Sequence, residues 1–164
     1  SAIYKIENNT DITLLIAGDY LNNQTEFQRL KTIIKALDLS ENIKFLGNIP
    51  HNKMPLYMSA ADVLVMPSYY ESFGLAALEA MACGTPVITS RNSGAKTFIE
   101  QGRSGYLIPW NCPEHYAERL EILLKNPILR ANMGQKATVQ ANKLSWNTAA
   151  TKTNLVYSNL IKSA

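Results

Sequence analysis

At 164 residues the chain can bury one domain's core, and its 46% hydrophobic and 18% charged content is ordinary for a globular fold. A net charge of +3, with no block of like charges, argues against a nucleic-acid or membrane-binding patch. The two cysteines, Cys83 and Cys112, have no metal spacing and suggest no disulfide framework; no signal peptide or transmembrane run is visible, so a cytoplasmic location is the default expectation.

The opening residues read as the tail of a helix. Ile12 to Ala17 is the first strand signal, ending at Gly18-Asp19. Phe27, Leu30, Ile33, Ile34 and Leu37 then form a helical stripe. Ile43 to Leu46 is the second strand, followed by Asn48-Ile49-Pro50-His51 and a short helix over Met54 to Ala61. Val63 to Met66 is the third strand. A helix over Gly74 to Cys83 is stopped by Gly84-Thr85-Pro86, a left-handed glycine followed by proline. Val87 to Thr89 and Gly105 to Ile108 are the fourth and fifth strands. Three helices close the chain: Glu114 to Lys125 behind Pro113, one opened by Pro127, and Asn147 to Lys162. Alternating strand and helix predicts an α/β fold, a Rossmann-like doubly wound parallel sheet with helices on both faces.

One segment carries the functional signal. Between Ser72 and Ser90 the only charge is Glu79. Leu75, Leu78 and Ala82 form a helical apolar stripe, and Glu79 falls on it. Ala77, Ala80 and Met81 make the other side apolar as well, which is the pattern of a buried helix. A carboxylate placed there needs partners or bears a desolvation cost of several kcal/mol, as an order of magnitude. Glu71 stands just ahead of the same helix. Taken alone, Glu79 reads first as a structural acid paired with a Lys or Arg at the core edge, and the surrounding motif is what shifts the balance.

The run from Pro67 through Glu71, Ser72, Phe73, Gly74, Leu75 and Glu79 to Ile88 resembles the signature of retaining glycosyltransferases of the GT-B fold, family 4. That signature has two glutamates separated by seven residues, with Phe-Gly-Leu between them. Ile16 to Asp19, Ile43 to Gly47, Ser59 to Ser68, Gly102 to Ile108 and Leu144 to Asn147 resemble flanking family motifs, so the likeness runs over essentially the whole chain. At Asn92 to Thr97 the sequence departs: Ser93 replaces one glycine of a Gly-Gly pair, and Thr97 replaces a glutamate.

The resemblance implies that Glu79 holds the ribose hydroxyls of a nucleotide and that Glu71 contacts the donor sugar, the nearest to a catalytic role here. It also implies that backbone groups of Ser72, Phe73, Gly74 and Leu75 meet the sugar and diphosphate. Elementary chemistry agrees. A carboxylate accepts from two vicinal hydroxyls. A helix N-terminus offers free N–H groups to phosphate. At 1.5 Å rise per residue, Glu79 lies roughly 7 Å down the axis from Gly74. Gly18 follows a strand, where ligands of open α/β sheets bind. By resemblance the backbone near Ile49 borders the nucleobase; from its residues alone it is equally a plain loop.

His51 and His115 lack partner spacing for zinc or a triad and read as loop or surface residues. Arg91 and Lys96 read as solvated cations. No Gly-x-Gly-x-x-Gly or Walker loop occurs. The expected activity is the donor-binding half of a retaining, metal-independent hexosyltransferase. It needs no cofactor beyond its nucleotide diphosphate sugar donor. The family's first strand, an Arg and Lys that grip the diphosphate, and the acceptor-binding N-terminal domain are not recognisable in the chain. The whole chain, 1–164, therefore reads as a single donor domain from a longer two-domain enzyme. An acceptor saccharide or glycolipid, and any attachment to the inner membrane face, would belong to the other part. The sheet should then show an opening or exposed edges where the central strand belongs. A nucleotide-sugar epimerase and a non-catalytic interaction module are the competing readings.

Overall fold

A computed structural model of the chain describes residues 12–20, 23–91, 94–109 and 112–162. The helical tail expected at the start, and Asn92 and Ser93, lie outside them. Strand and helix alternate as the sequence predicts. The strands are β1 (Leu14–Ala17), β2 (Ile43–Gly47), β3 (Leu64–Met66), β4 (Val87–Ser90) and β5 (Gly105–Ile108). The helices are α1 (Gln24–Ala36), α2 (Met54–Ala60), α3 (Leu75–Ala82), α4 (Pro113–Lys125), α5 (Pro127–Asn142) and α6 (Trp146–Lys162).

All strand pairs are parallel, and they form two sheets: β1 with β2, and β3-β4-β5. Among the described residues β1 and β3 each keep one unpaired edge. In a 3-2-1-4-5-6 wound order, one strand sits between the elements corresponding to β1 and β3. The split therefore falls where an opening is expected.

Helices cover both faces of the three-stranded sheet. Consecutive strand residues point to opposite faces, and β4 shows this directly. Val87 joins a core with Met58 of α2, Ala77, Ala80 and Met81 of α3, and Ala137 and Ala141 of α5. Its neighbour Ile88 joins a second core with Tyr106, Ile108, Tyr116 and Leu123. Both faces of β4 are buried, so its sequence is an unbroken apolar and hydroxyl run rather than an alternation. The two-stranded unit is thinner. Tyr20, Phe27 and Phe45 stack there with ring centroids 4.5–5.5 Å apart, yet α1 has no fully buried residue. Helix α6 likewise buries none, and it leaves Trp146, Leu155, Tyr157 and Ile161 exposed. Among the described residues no helix is long and apolar enough to cross a membrane.

The buried face of α3 differs from the sequence expectation. Of the apolar stripe Leu75-Leu78-Ala82 only Leu78 touches the core, half-buried at its edge; Leu75 is 51% exposed and Ala82 is exposed. Ala77, Ala80 and Met81 are the residues inside. The reason is close packing. Alanines let the helix lie near the sheet and α5, where larger leucines would hold it away. Glu79 therefore sits on the side of α3 that faces out of the core, half-buried at its margin.

Candidate nucleotide-binding site

The segment 67–75 leaves β3 and turns into α3. Three hydroxyls, one just ahead of β4 and two along it, hold this region. Thr89 Oγ1 donates to the Met66 carbonyl at 2.9 Å, and Ser90 Oγ donates to the Ser68 carbonyl. Thr85 Oγ1 donates to the Met58 carbonyl, tying the end of α2 to the end of α3. Each is buried, so each bond satisfies a group that would otherwise be orphaned.

Gly74 caps α3 in the left-handed region, with φ of 93°. A Cβ there would press on Ala95 Cβ at 3.3 Å, so both conformation and space favour glycine. Leu78 N–H is the first to bond back along the helix, to the Gly74 carbonyl at 3.0 Å. The N–H groups ahead of it form the open N-terminal end of α3, without a side-chain cap. The Phe73 ring packs on Phe98, centroids 5.4 Å apart. Ser72 is exposed beside it. Beneath this loop, a 3-10 turn at Gly94–Thr97 is closed by Thr97 Oγ1 donating to the Gly94 carbonyl at 2.8 Å.

Glu71 is half-buried, and its carbonyl accepts from Gly94 N–H at 3.1 Å. Among the described residues, neither the Glu71 nor the Glu79 carboxylate has a recorded hydrogen bond or ion pair. The reading of Glu79 as an ion-paired structural acid thus finds no cation in the described structure. What Glu79 faces instead is a groove between α2 and α3. It is a cavity of about 200 Å³ lined by His51, Met54, Pro55, Met58, Glu79, Ala82 and Cys83. It is nearly all apolar, with the Glu79 carboxylate, the His51 imidazole and the Cys83 thiol as its ionisable groups.

The structure places Glu71, Ser72, Phe73, Gly74 and Leu75 in one loop and helix start, with Glu79 about a turn and a half along. Ile49 is buried just ahead of the 3-10 turn that carries His51 to the groove. Gly18 belongs to the other sheet; it follows β1 and donates its N–H to the Gly47 carbonyl at 2.9 Å. It shares with the other residues a place at the C-terminal ends of parallel strands. Two things escape the sequence reading. His51, taken as a loop residue, lines the groove with Glu79, and the signal available was its position four residues past β2. The brace at Gly94 is the other, since its contact with the loop after β3 joins segments far apart in the chain. Among the described residues no three His, Cys, Asp or Glu side chains gather in a metal-site geometry.

Residues 1–140 match the family model described as glycosyl transferases group 1. A D-inositol 3-phosphate glycosyltransferase from Corynebacterium jeikeium is 38% identical over 135 residues, covering 82% of this chain and 32% of that protein. A D-inositol 3-phosphate glycosyltransferase 2 from Catenulispora acidiphila is 34% identical over 151 residues, 92% of this chain and 35% of its own length. The chain thus spans about a third of the length of these curated relatives. Among solved structures, sucrose-phosphate synthase from Thermosynechococcus elongatus superposes with a TM-score of 0.82 at 32% identity, over 93% of this chain and 39% of that one. Anabaena HepE, solved in complex with UDP-glucose, gives 0.80 at 27% identity, over 87% of this chain and 38% of that one.

Proposed function

This chain belongs to the glycosyl transferases group 1 family, and we propose that it is the donor-binding domain of a retaining, metal-independent hexosyltransferase. In this reading the enzyme moves a sugar from a nucleotide diphosphate to an acceptor hydroxyl, and the acceptor is held by polypeptide outside this chain. The observation that carries it is Glu79: a half-buried carboxylate, without a cation among the described residues, on the wall of an apolar groove. A buried acid left unpaired costs stability. A ligand with two vicinal hydroxyls would satisfy it.

The chemistry follows from the layout. Glu79 accepts from the ribose hydroxyls. The diphosphate lies at the open N-terminal end of α3, where backbone N–H groups and the helix dipole favour negative charge. The sugar projects towards Glu71, which orients it through its hydroxyls. Negative charge builds on the leaving diphosphate as the glycosidic bond breaks. Fixed donors aimed at that charge lower the barrier most. Cofactors have no part in this scheme.

Calorimetry with nucleoside diphosphates tests the reading. Glu79→Gln keeps the shape but weakens charge-assisted bonds worth roughly 1.5–3 kcal/mol. Affinity should fall at least tenfold while the melting temperature holds. Unchanged affinity with a large drop in melting temperature would make Glu79 a structural acid and refute the proposal.

A further inference from the structure

We propose that the hollow between the ends of β4 and β5 and the start of α4 is a second binding site, for a small phosphate monoester that carries hydroxyls. It does not draw on the donor reading above.

The hollow has a volume of about 240 Å³. That is several times the roughly 30 Å³ share of one water, so there is room for more than a bare anion. Its charged lining comes from two elements. Arg91 follows β4 directly, while His115, Glu118 and Arg119 stand on the first two turns of α4. One carboxylate stands against two guanidiniums, so the lining keeps a positive charge. Helix α4 packs on the Ile88 face of the sheet. The groove beside Glu79 lies between α2 and α3, which pack on the Val87 face. The two cavities share no lining residue.

The polar groups are anchored and still able to bind. Arg91 N–H donates to the Ile108 carbonyl at 2.7 Å, which fixes the base of its side chain. Its guanidinium has no carboxylate partner among the described residues. The Arg119 guanidinium lies over the Tyr106 ring, 5.3 Å from the centroid. A contact through its face leaves the N–H groups at its edge to bind. Its ion pair with Glu118 is long, at 3.7 Å, and partly exposed, so it holds the guanidinium weakly. Gln101 accepts the Leu107 N–H on Oε1 at 2.7 Å, which leaves its NH2 group for another acceptor.

This donor set fits one ligand chemistry. A carboxylate is matched by a single guanidinium fork. Two forks on separate elements, with an imidazole and an amide beside them, face more oxygens than a carboxylate has. The three terminal oxygens of a phosphate monoester supply them. Glu118 accepts only, so it repels the phosphate and receives a hydroxyl of the same ligand.

Calorimetric titration with inorganic phosphate, glycerol 3-phosphate and glycerol tests this. The proteins are the wild type, Arg91→Gln, Arg119→Gln, Arg119→Lys and, as a control on the turn beneath the Glu71 loop, Lys96→Gln. Inorganic phosphate should bind the wild type saturably, and glycerol 3-phosphate about three- to tenfold more tightly, the worth of one further hydrogen bond. Glycerol should not bind. Arg91→Gln and Arg119→Gln should each weaken both phosphates at least tenfold, and Arg119→Lys should restore little, because it keeps the charge and loses the fork. Lys96→Gln should change nothing. Arg91 is exposed, so its variant should melt with the wild type even if Arg119→Gln does not. Phosphate binding that is unsaturable, or indifferent to Arg91→Gln, overturns the site, as does a loss confined to Lys96→Gln. Full rescue by Arg119→Lys reduces it to bulk charge and overturns the fork. Equal affinity for the two phosphates overturns the hydroxyl-bearing ligand. Nucleoside diphosphate affinity should stay within twofold in Arg119→Gln. A fall as large as that for phosphate would merge the hollow with the donor site and overturn its independence, while leaving the donor reading intact.

Discussion

The backbone N–H of Gly94 donates to the carbonyl of Glu71 at 3.1 Å, so the turn after β4 holds the loop after β3 from below. The approach is too close for any side chain. A Cβ on Gly94 would lie 2.2 Å from the Ser72 carbonyl oxygen and 2.6 Å from Phe73 Cα. Backbone, not a yielding side chain, is what it would strike. Glycine at 94 thus sets the height of the loop that carries Glu71 and opens α3.

Gly94→Ala should therefore push residues 71–74 outward. Overpacking of this kind costs roughly 1–3 kcal/mol. Because the strain falls on the loop, nucleoside diphosphate affinity should drop beyond what the loss of stability explains. Thermal unfolding and calorimetry on the same variant separate the two. Wild-type affinity in the folded variant would show that the brace does not set the site.

A second close approach joins α5 to the end of α3. A Cβ on Gly134 would meet the Gly84 carbonyl oxygen at 2.1 Å, and Thr138 Oγ1 donates to the Met81 carbonyl at 3.2 Å nearby. Gly134→Ala should cost about 1–3 kcal/mol. For a chain of this size that is a fall of several degrees in melting temperature. The contact falls on the backbone just past α3 and on no residue that lines the groove. Affinity measured below the transition should stay within twofold of wild type, and a selective loss of binding would contradict this separation.

Much of the fold is legible in the sequence because strand runs end in Gly, Pro or Ser and helices carry their own stops. Gly84 adopts φ of 84° where the helix-ending glycine is expected. Pro113 and Pro127 open α4 and α5. The orientation of α3 is not legible in the same way. Its residues are apolar all round, so periodicity cannot choose between Leu75-Leu78 and Ala77-Ala80-Met81. Side-chain size against close neighbours decides, and those neighbours come from β4 and α5, far along the chain. The site shows the same limit. Glu71 to Glu79 is local and readable. The groove is not, because His51 and Met54 reach it from another βα unit, and Gly94 reaches the loop from a third.

Tyr116 predicts an alkaline transition. Its ring is buried at 5% exposure, and its hydroxyl has no hydrogen-bond partner among the described residues. Burial first, and the neighbouring Cys112 second, push the phenol up to about 12. The unfolded phenol titrates near 10. A raised acid of this kind leaves stability unaffected below pH 10 and removes it as pH climbs from 10 towards 12. The loss is up to about 1.4 kcal/mol per pH unit in that window. Tyr116→Phe should flatten the window and, by removing an unsatisfied hydroxyl, cost little or nothing at pH 7. Denaturant melts at pH 8, 10 and 11 check this, and an identical pH profile in the variant would exclude Tyr116 as the cause.

Glu71 and Glu79 should separate by ligand. Glu71 lies ahead of α3, on the side towards which the sugar would project, while Glu79 lies along the helix beside the groove. A free nucleoside diphosphate has no sugar for Glu71 to hold. Glu71→Ala should then leave nucleoside diphosphate affinity within about twofold. It should weaken the nucleotide sugar by about ten- to a hundredfold, the equivalent of one or two charge-assisted hydrogen bonds. Stability should change little, since the half-buried carboxylate has no recorded partner to lose among the described residues. Titrating both ligands against the variant tests the division. Equal losses for the two would place Glu71 on the nucleotide and remove it from the sugar.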